Sequence, residues 1–108
     1  DSKKNSDILD TTIEVVNKIL EAYPDVEICL ISPKPSISRW SFKEQYEELN
    51  AMLNEYSSTN ESIAFIDVWN PMLNVEGVPL PDIFVEDNLH MNEKGYKIWG
   101  DIIKAYLN

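Results

Sequence analysis

Cysteine and histidine each occur once in this chain of 108 residues, and glycine three times. A lone Cys29 forms no internal disulfide, and one Cys with one His does not make a tetrahedral zinc site, so neither a disulfide framework nor a metal centre is expected. Inside its apolar run, Cys29 is expected to be a small buried hydrophobe. Three glycines leave no Gly-rich loop to cradle a phosphate. Nine Lys+Arg against nineteen Asp+Glu give a formal charge of −10. That sign repels phosphate backbones and anionic headgroups, which argues against nucleic-acid or electrostatic membrane partners. No apolar stretch approaches the roughly 20 residues that span a bilayer. The opening segment, Asp1 to Asp7, has neither a hydrophobic signal core nor an initiator Met. The chain is therefore expected to be processed, or to begin partway through a longer one.

What is present suffices for one core. The apolar fraction is 44%, with three Trp, five Tyr and three Phe, so residues 1–108 read as a single small domain rather than a disordered acidic tail. Apolar residues three and four apart from Ser6 to Ala22 predict a helix, with Ser6 as its N-cap and Pro24 as its stop. The run Val26–Ile31 predicts a strand buried on both faces, as in a parallel sheet. A second helix is expected from about Ser41 to Tyr56, with Phe42, Tyr46, Leu49, Leu53 and Tyr56 on one stripe. Ile63–Trp69 predicts the second strand. The segment from Asn70 to Met91 holds Pro71, Gly77, Pro79 and Pro81 and reads as a long surface loop of the functional kind. Asn92 then caps a final helix whose apolar face is Tyr96, Trp99, Ile102, Ile103, Tyr106 and Leu107.

The order α-β-α-β-loop-α suits a βαβ crossover with parallel strands. Two strands are few for such a sheet, so the chain reads as the back half of a doubly wound α/β domain. Ligands of open parallel sheets sit beyond the carboxyl ends of the strands. The run Phe84–Asn92 is delivered to that end. It contains His90, the side chain best suited to proton transfer near neutral pH. Asp87 lies three residues earlier, where a carboxylate one turn away accepts the second imidazole N–H and fixes the tautomer. On spacing alone a structural role for His90, such as helix capping, is the favoured reading.

The longer pattern Asp87-Asn88-Leu89-His90-Met91-Asn92, followed by Gly95-Tyr96 and Trp99, resembles the last block of the SGNH (GDSL-type) hydrolases. Ile31-Ser32-Pro33-Lys34-Pro35-Ser36 with Arg39-Trp40, and Asp67-Val68-Trp69, resemble segments after the fourth and fifth strands of such enzymes. The resemblance implies a flavodoxin-like three-layer α/β/α sandwich, of which this partial domain supplies the C-terminal part with two parallel strands and three helices. It implies a serine esterase acting on a small acyl ester, acetyl included, of a lipid or a carbohydrate, with no cofactor. His90 would be general base and acid, and Asp87 its orienting carboxylate. Gly95 would serve close packing, and Tyr96 and Trp99 the core. Lys34 and Arg39 would line the substrate cleft or remain solvated loop charges.

The pattern also has gaps. The family's nucleophile in a Gly-Asp-Ser turn and its Gly-x-Asn-Asp motif have no counterpart here, although Asp1 stands where a remnant of the second would lie. Losing a serine nucleophile costs about 10⁶-fold in kcat, so this chain by itself is expected to be inactive and to need the N-terminal half. The competing expectation is a non-catalytic fragment or interaction module that self-associates through the open edge of strand 26–31. A fragment of a flavodoxin-like receiver or cofactor-binding domain is a third, disfavoured by the absent Gly-rich loop.

Overall fold

The computed structural model describes residues 4–107, so the reading of Asp1 lies outside the described residues. In chain order the elements are α1 (Asn5–Ala22), β1 (Ile28–Ile31), α2 (Lys43–Ser57), β2 (Ile63–Ile66) and α3 (Glu93–Leu107), with 3₁₀ turns at Trp40–Phe42 and Asn70–Met72. The two strands pair in parallel, with Ile28 opposite Ile63 and Ile31 opposite Ile66. This is the α/β architecture that the hydrophobic periods predict.

Helix α1 starts one residue before Ser6, and the residue at its N-cap position, Lys4, makes no side-chain capping bond. Ser6 is therefore not the cap. At the other end of the crossover, three successive hydroxyls close α2. Ser57, Ser58 and Thr59 donate to the carbonyls of Asn54, Glu55 and Tyr56 at 2.7, 2.6 and 2.7 Å. The hydroxyls of Ser58 and Thr59 thus reach carbonyls of the last turn that receive no i+4 amide, while the Asn54 carbonyl accepts both the Ser57 hydroxyl and the Ser58 N–H. On α2 the buried residues are Leu49, Leu53 and Ser57. Phe42 lies in the preceding 3₁₀ turn and is exposed, so the stripe begins later than its period suggests.

Strand β1 is shorter than expected and is not buried on both faces. Ile28 and Leu30 are half-buried, whereas Cys29 and Ile31 are exposed. Side chains alternate across a strand, so one whole face of β1 lies open, and Cys29 with it. The reason is that α2 packs on the sheet through β2, and no comparable layer covers the Cys29 side among the described residues.

The ladder ends at Ser32. Its N–H donates to the Ile66 carbonyl at 2.9 Å, and its hydroxyl accepts the Val68 N–H at 2.9 Å. A side-chain oxygen thus replaces the next backbone carbonyl just before Pro33 stops the strand.

The segment from Asn70 to Met91 is not a mere surface loop. Met72 and Ile83 are fully buried and cluster with Phe84 and Met91, and Leu80, Ile98, Trp99 and Ile102 pack against them. Burying each such side chain stabilises by roughly 1.5–3 kcal/mol. Short bridges, Leu73 with Pro79 and Phe84 with Met91, brace the segment. Its tight turn at Gly77 takes φ +79°, a left-handed conformation that favours glycine.

Helix α3 docks on this segment through Gly95, Ile98, Trp99 and Ile102, an i, i+3, i+4, i+7 seam. Gly95 is the buried member. A Cβ there would lie 2.5 Å from the Ile83 carbonyl oxygen, so the helix backbone itself makes the contact. With the seam centred on Gly95, Tyr96 turns away and is 58% exposed. Tyr96 is therefore not a core residue, while Trp99 is packed as expected.

Candidate active site

The turn that carries Asp87 and His90 is built on the Phe84–Met91 bridge. Above it the Val85 N–H donates to the His90 carbonyl at 2.9 Å, and the Asn88 N–H to the Val85 carbonyl at 3.0 Å. Asn88 sits at φ +56°, in the left-handed region that Asn tolerates better than most residues. The three-residue spacing of Asp87 and His90 is thus set by a tight loop, not by a turn of helix.

Asp87 uses its two oxygens differently. Oδ1 accepts the backbone N–H groups of Leu89 and His90, each at 2.9 Å. Oδ2 meets His90 Nδ1 at 2.5 Å. The His90 side chain foremost, and then the two amides, lower the Asp87 pKa to about 2. The carboxylate is therefore ionised at neutral pH and only accepts, so Nδ1 carries the proton, and in the neutral imidazole the lone pair is on Nε2. The imidazole is 71% exposed. The ring and carboxylate face each other at the carboxyl end of the sheet, the arrangement a proton relay requires.

Asn92 fixes the far end of the turn. Its Oδ1 accepts the Gly95 N–H at 3.0 Å and caps α3, as the sequence predicts. Its Nδ2 donates to the Asp82 carbonyl at 2.9 Å and, more loosely, to that of Phe84 at 3.4 Å. One amide thus ties helix, loop and turn together.

Lys34 lies behind the pair. Its Nζ donates to the Leu89 carbonyl at 2.5 Å and stands 5.8 Å from the centre of the Phe84 ring. Burial lowers its pKa, the Asp87 charge opposes that shift and Arg39 adds to it, which places both charges near the ammonium. Beside them Trp40 stacks on Trp69 at 5.6 Å, and Tyr46 tilts against Trp69 at 5.7 Å. Asp67 stiffens that corner by accepting the Trp69 N–H at 2.8 Å and the Asn70 side-chain amide at 2.8 Å.

Sequence reasoning missed the backbone acceptors of the turn, the Asn88 and Leu89 carbonyls, because main-chain groups leave no signature in residue identities. The groove between α2 and β2, lined by Asn50, Asn54, Phe65, Asp67 and Tyr106, includes neither His90 nor Asp87. Among the described residues no cluster of His, Cys, Asp and Glu could hold a metal ion. No helix among them is long and apolar enough to cross a membrane.

The fold is that of an α/β protein with parallel strands, and the turn sets a carboxylate against a histidine. The family model of GDSL-like lipases and acylhydrolases matches residues 3–103, and the chain belongs to that family. No curated protein sequence matches it. Among solved structures, a Streptococcus pneumonia protein named as a platelet activating factor superposes with TM-score 0.85 at 21% identity. The esterase domain of the ORF1 protein from the zebrafish ZfL2-1 retrotransposon gives 0.80 at 19%. A Bacteroides fragilis protein named as an acylhydrolase gives 0.78 at 21%. These matches cover 96%, 97% and 99% of this chain but 52%, 60% and 53% of the others. The chain therefore spans little more than half the length of the structures it resembles.

Proposed function

We propose that this chain supplies the histidine and carboxylate of a Ser-His-Asp triad in an ester hydrolase. The observation that carries the reading is the contact between His90 Nδ1 and Asp87 Oδ2, with the ring otherwise open to solvent. In the reaction, His90 Nε2 takes the proton of a serine hydroxyl as that oxygen bonds to the ester carbonyl carbon. The tetrahedral intermediate then expels the alcohol, which receives the proton back from Nε2, and water repeats the cycle on the acyl-enzyme. Asp87 stays ionised and stabilises the imidazolium at each stage.

No serine of this chain stands in a Gly-Asp-Ser turn, so the proposed triad takes its serine from outside the chain. Ser32 and Ser36 are buried, and the Ser32 hydroxyl is engaged with the Val68 N–H and the Pro33 carbonyl. The substrate class is a small acyl ester, acetyl included, of a lipid or carbohydrate alcohol. In the complete enzyme His90→Ala abolishes turnover of a short-chain chromogenic ester. Turnover within tenfold of the parent rejects His90 as the base.

The open face of β1, with Cys29 and Ile31 exposed, favours one further reading. In the complete protein the remainder of the domain covers this face and pairs the free edge of β1. The isolated chain then self-associates there, and sedimentation as a clean folded monomer contradicts it.

A further inference from the structure

We infer that Lys34 is a positioning residue for the His90–Asp87 pair, acting through the Leu89 carbonyl; the inference rests on the relay proposed above. Three peptide units link Asp87 to His90, and the last two are each held at both ends. In the Asn88–Leu89 unit, the carbonyl accepts the Ser38 N–H at 3.0 Å and the amide donates to Asp87 Oδ1 at 2.9 Å. In the Leu89–His90 unit, the carbonyl accepts Lys34 Nζ at 2.5 Å and the amide donates to the same Oδ1 at 2.9 Å. Asp87 supplies the front anchor of both planes, and the segment after β1 supplies the back anchor of both.

The second plane sets the direction in which the His90 Cα–Cβ bond leaves the chain. Without Lys34 that plane is tethered on one side only, and it can rock while Asp87 keeps its grip. The lysine is suited to the task. It is flanked by Pro33 and Pro35, whose rings fix φ, and Pro35 is among the most fully buried residues of the chain. Its side chain is half-buried, with the ammonium 5.8 Å from the centre of the Phe84 ring. The ammonium points at a carbonyl of the relay's own backbone, which distinguishes it from a solvated loop charge. Charge-assisted bonds of this kind are about twice as strong as neutral ones.

Lys34→Met and Lys34→Arg in the complete protein test the inference, with the ¹⁵N shifts of the His90 ring and ester kinetics as readouts and circular dichroism as the folding control. The parent shows the Nδ1–H tautomer. Lys34→Met is expected to mix the two tautomers and to lower kcat by about tenfold or more with KM within twofold, since misplacement by about 1 Å can cost 10²-fold. Lys34→Arg, which keeps a charged donor, restores both. If Lys34 acted only as a charge near Asp87, its removal would strengthen the carboxylate as an acceptor and leave the Nδ1–H tautomer pure. A pure Nδ1–H tautomer in folded Lys34→Met, or failure of Lys34→Arg to restore it, overturns the inference. The outcome for the esterase reading is separate. If His90→Ala keeps its activity, that reading falls, while the tautomer of Lys34→Met still decides whether Lys34 sets the imidazole.

Discussion

Gly95 of α3 presses its backbone against the carbonyl oxygen of Ile83, so closely that a Cβ at Gly95 would stand 2.5 Å from that oxygen and 2.9 Å from the Met91 Cβ. Met91 follows His90 directly, and Ile83 precedes the strand-like pair that carries the turn. The position of the last helix is thereby coupled to the base of the proposed relay.

Gly95→Ala should therefore destabilise, although alanine is the better helix former. The clash is with backbone and with a Cβ, neither of which moves freely, and overpacking of this kind costs roughly 1–3 kcal/mol. Gly100, in the same helix, has nothing within 4 Å of its would-be Cβ. Gly100→Ala should stabilise by about 0.5–1 kcal/mol through helix propensity alone. Chemical denaturation of the two variants reads opposite signs. A stabilised Gly95→Ala would refute the close approach.

Asp87→Asn separates the two jobs of that side chain. The amide oxygen can still accept from the Leu89 and His90 N–H groups, so the turn should persist. The amide nitrogen cannot accept from Nδ1, and the imidazole loses its partner and its tautomer. Turnover of the complete enzyme should fall by about 10⁴-fold, the loss seen when a triad carboxylate becomes an amide. Amide chemical shifts in the turn should remain close to the parent's. Near-parent activity would remove Asp87 from the relay.

The turn should also outlast mild acid. An unperturbed Asp titrates near 3.9, whereas Asp87 in the folded chain titrates at about 2 because His90, then two backbone amides, favour its anion. A folded pKa below the unfolded one contributes stability that is complete above about pH 4 and lost as pH falls through about 2. The carboxyl-carbon shift of Asp87, followed by NMR between pH 6 and 1.5, should place its midpoint near 2. A midpoint near 4 would mean that neither the imidazole nor the amides hold the carboxylate in solution.

Much of this architecture is legible in residue order. Apolar periods near 3.6 locate the three helices and short apolar runs the two strands, since burial acts on local spacing. Asn92 is readable as a cap because a short side-chain acceptor before a helix has one dominant use. The segment from Asn70 to Met91 is misread as surface because its prolines and glycine signal turns. Its buried members, Met72, Ile83, Phe84 and Met91, have no period to reveal them. Tyr96 is misplaced for a related reason. Its hydropathy suits a core, but the seam is centred on Gly95, a residue that periodicity counts as neutral.

What the sequence alone determined is the set of elements and the chemistry on offer: one imidazole, a carboxylate three residues before it, and no glycine-flanked serine to complete them. Local spacing suffices for that, because helices, strands and caps are short-range objects. Tertiary structure decided the rest. It turned the Asp87–His90 interval into a tight loop rather than a helical turn, left one face of β1 open, and set Lys34 against a carbonyl 55 residues away along the chain. Such contacts depend on how the segment after β1 and the turn before α3 meet in space, and no local pattern records a meeting between distant backbones.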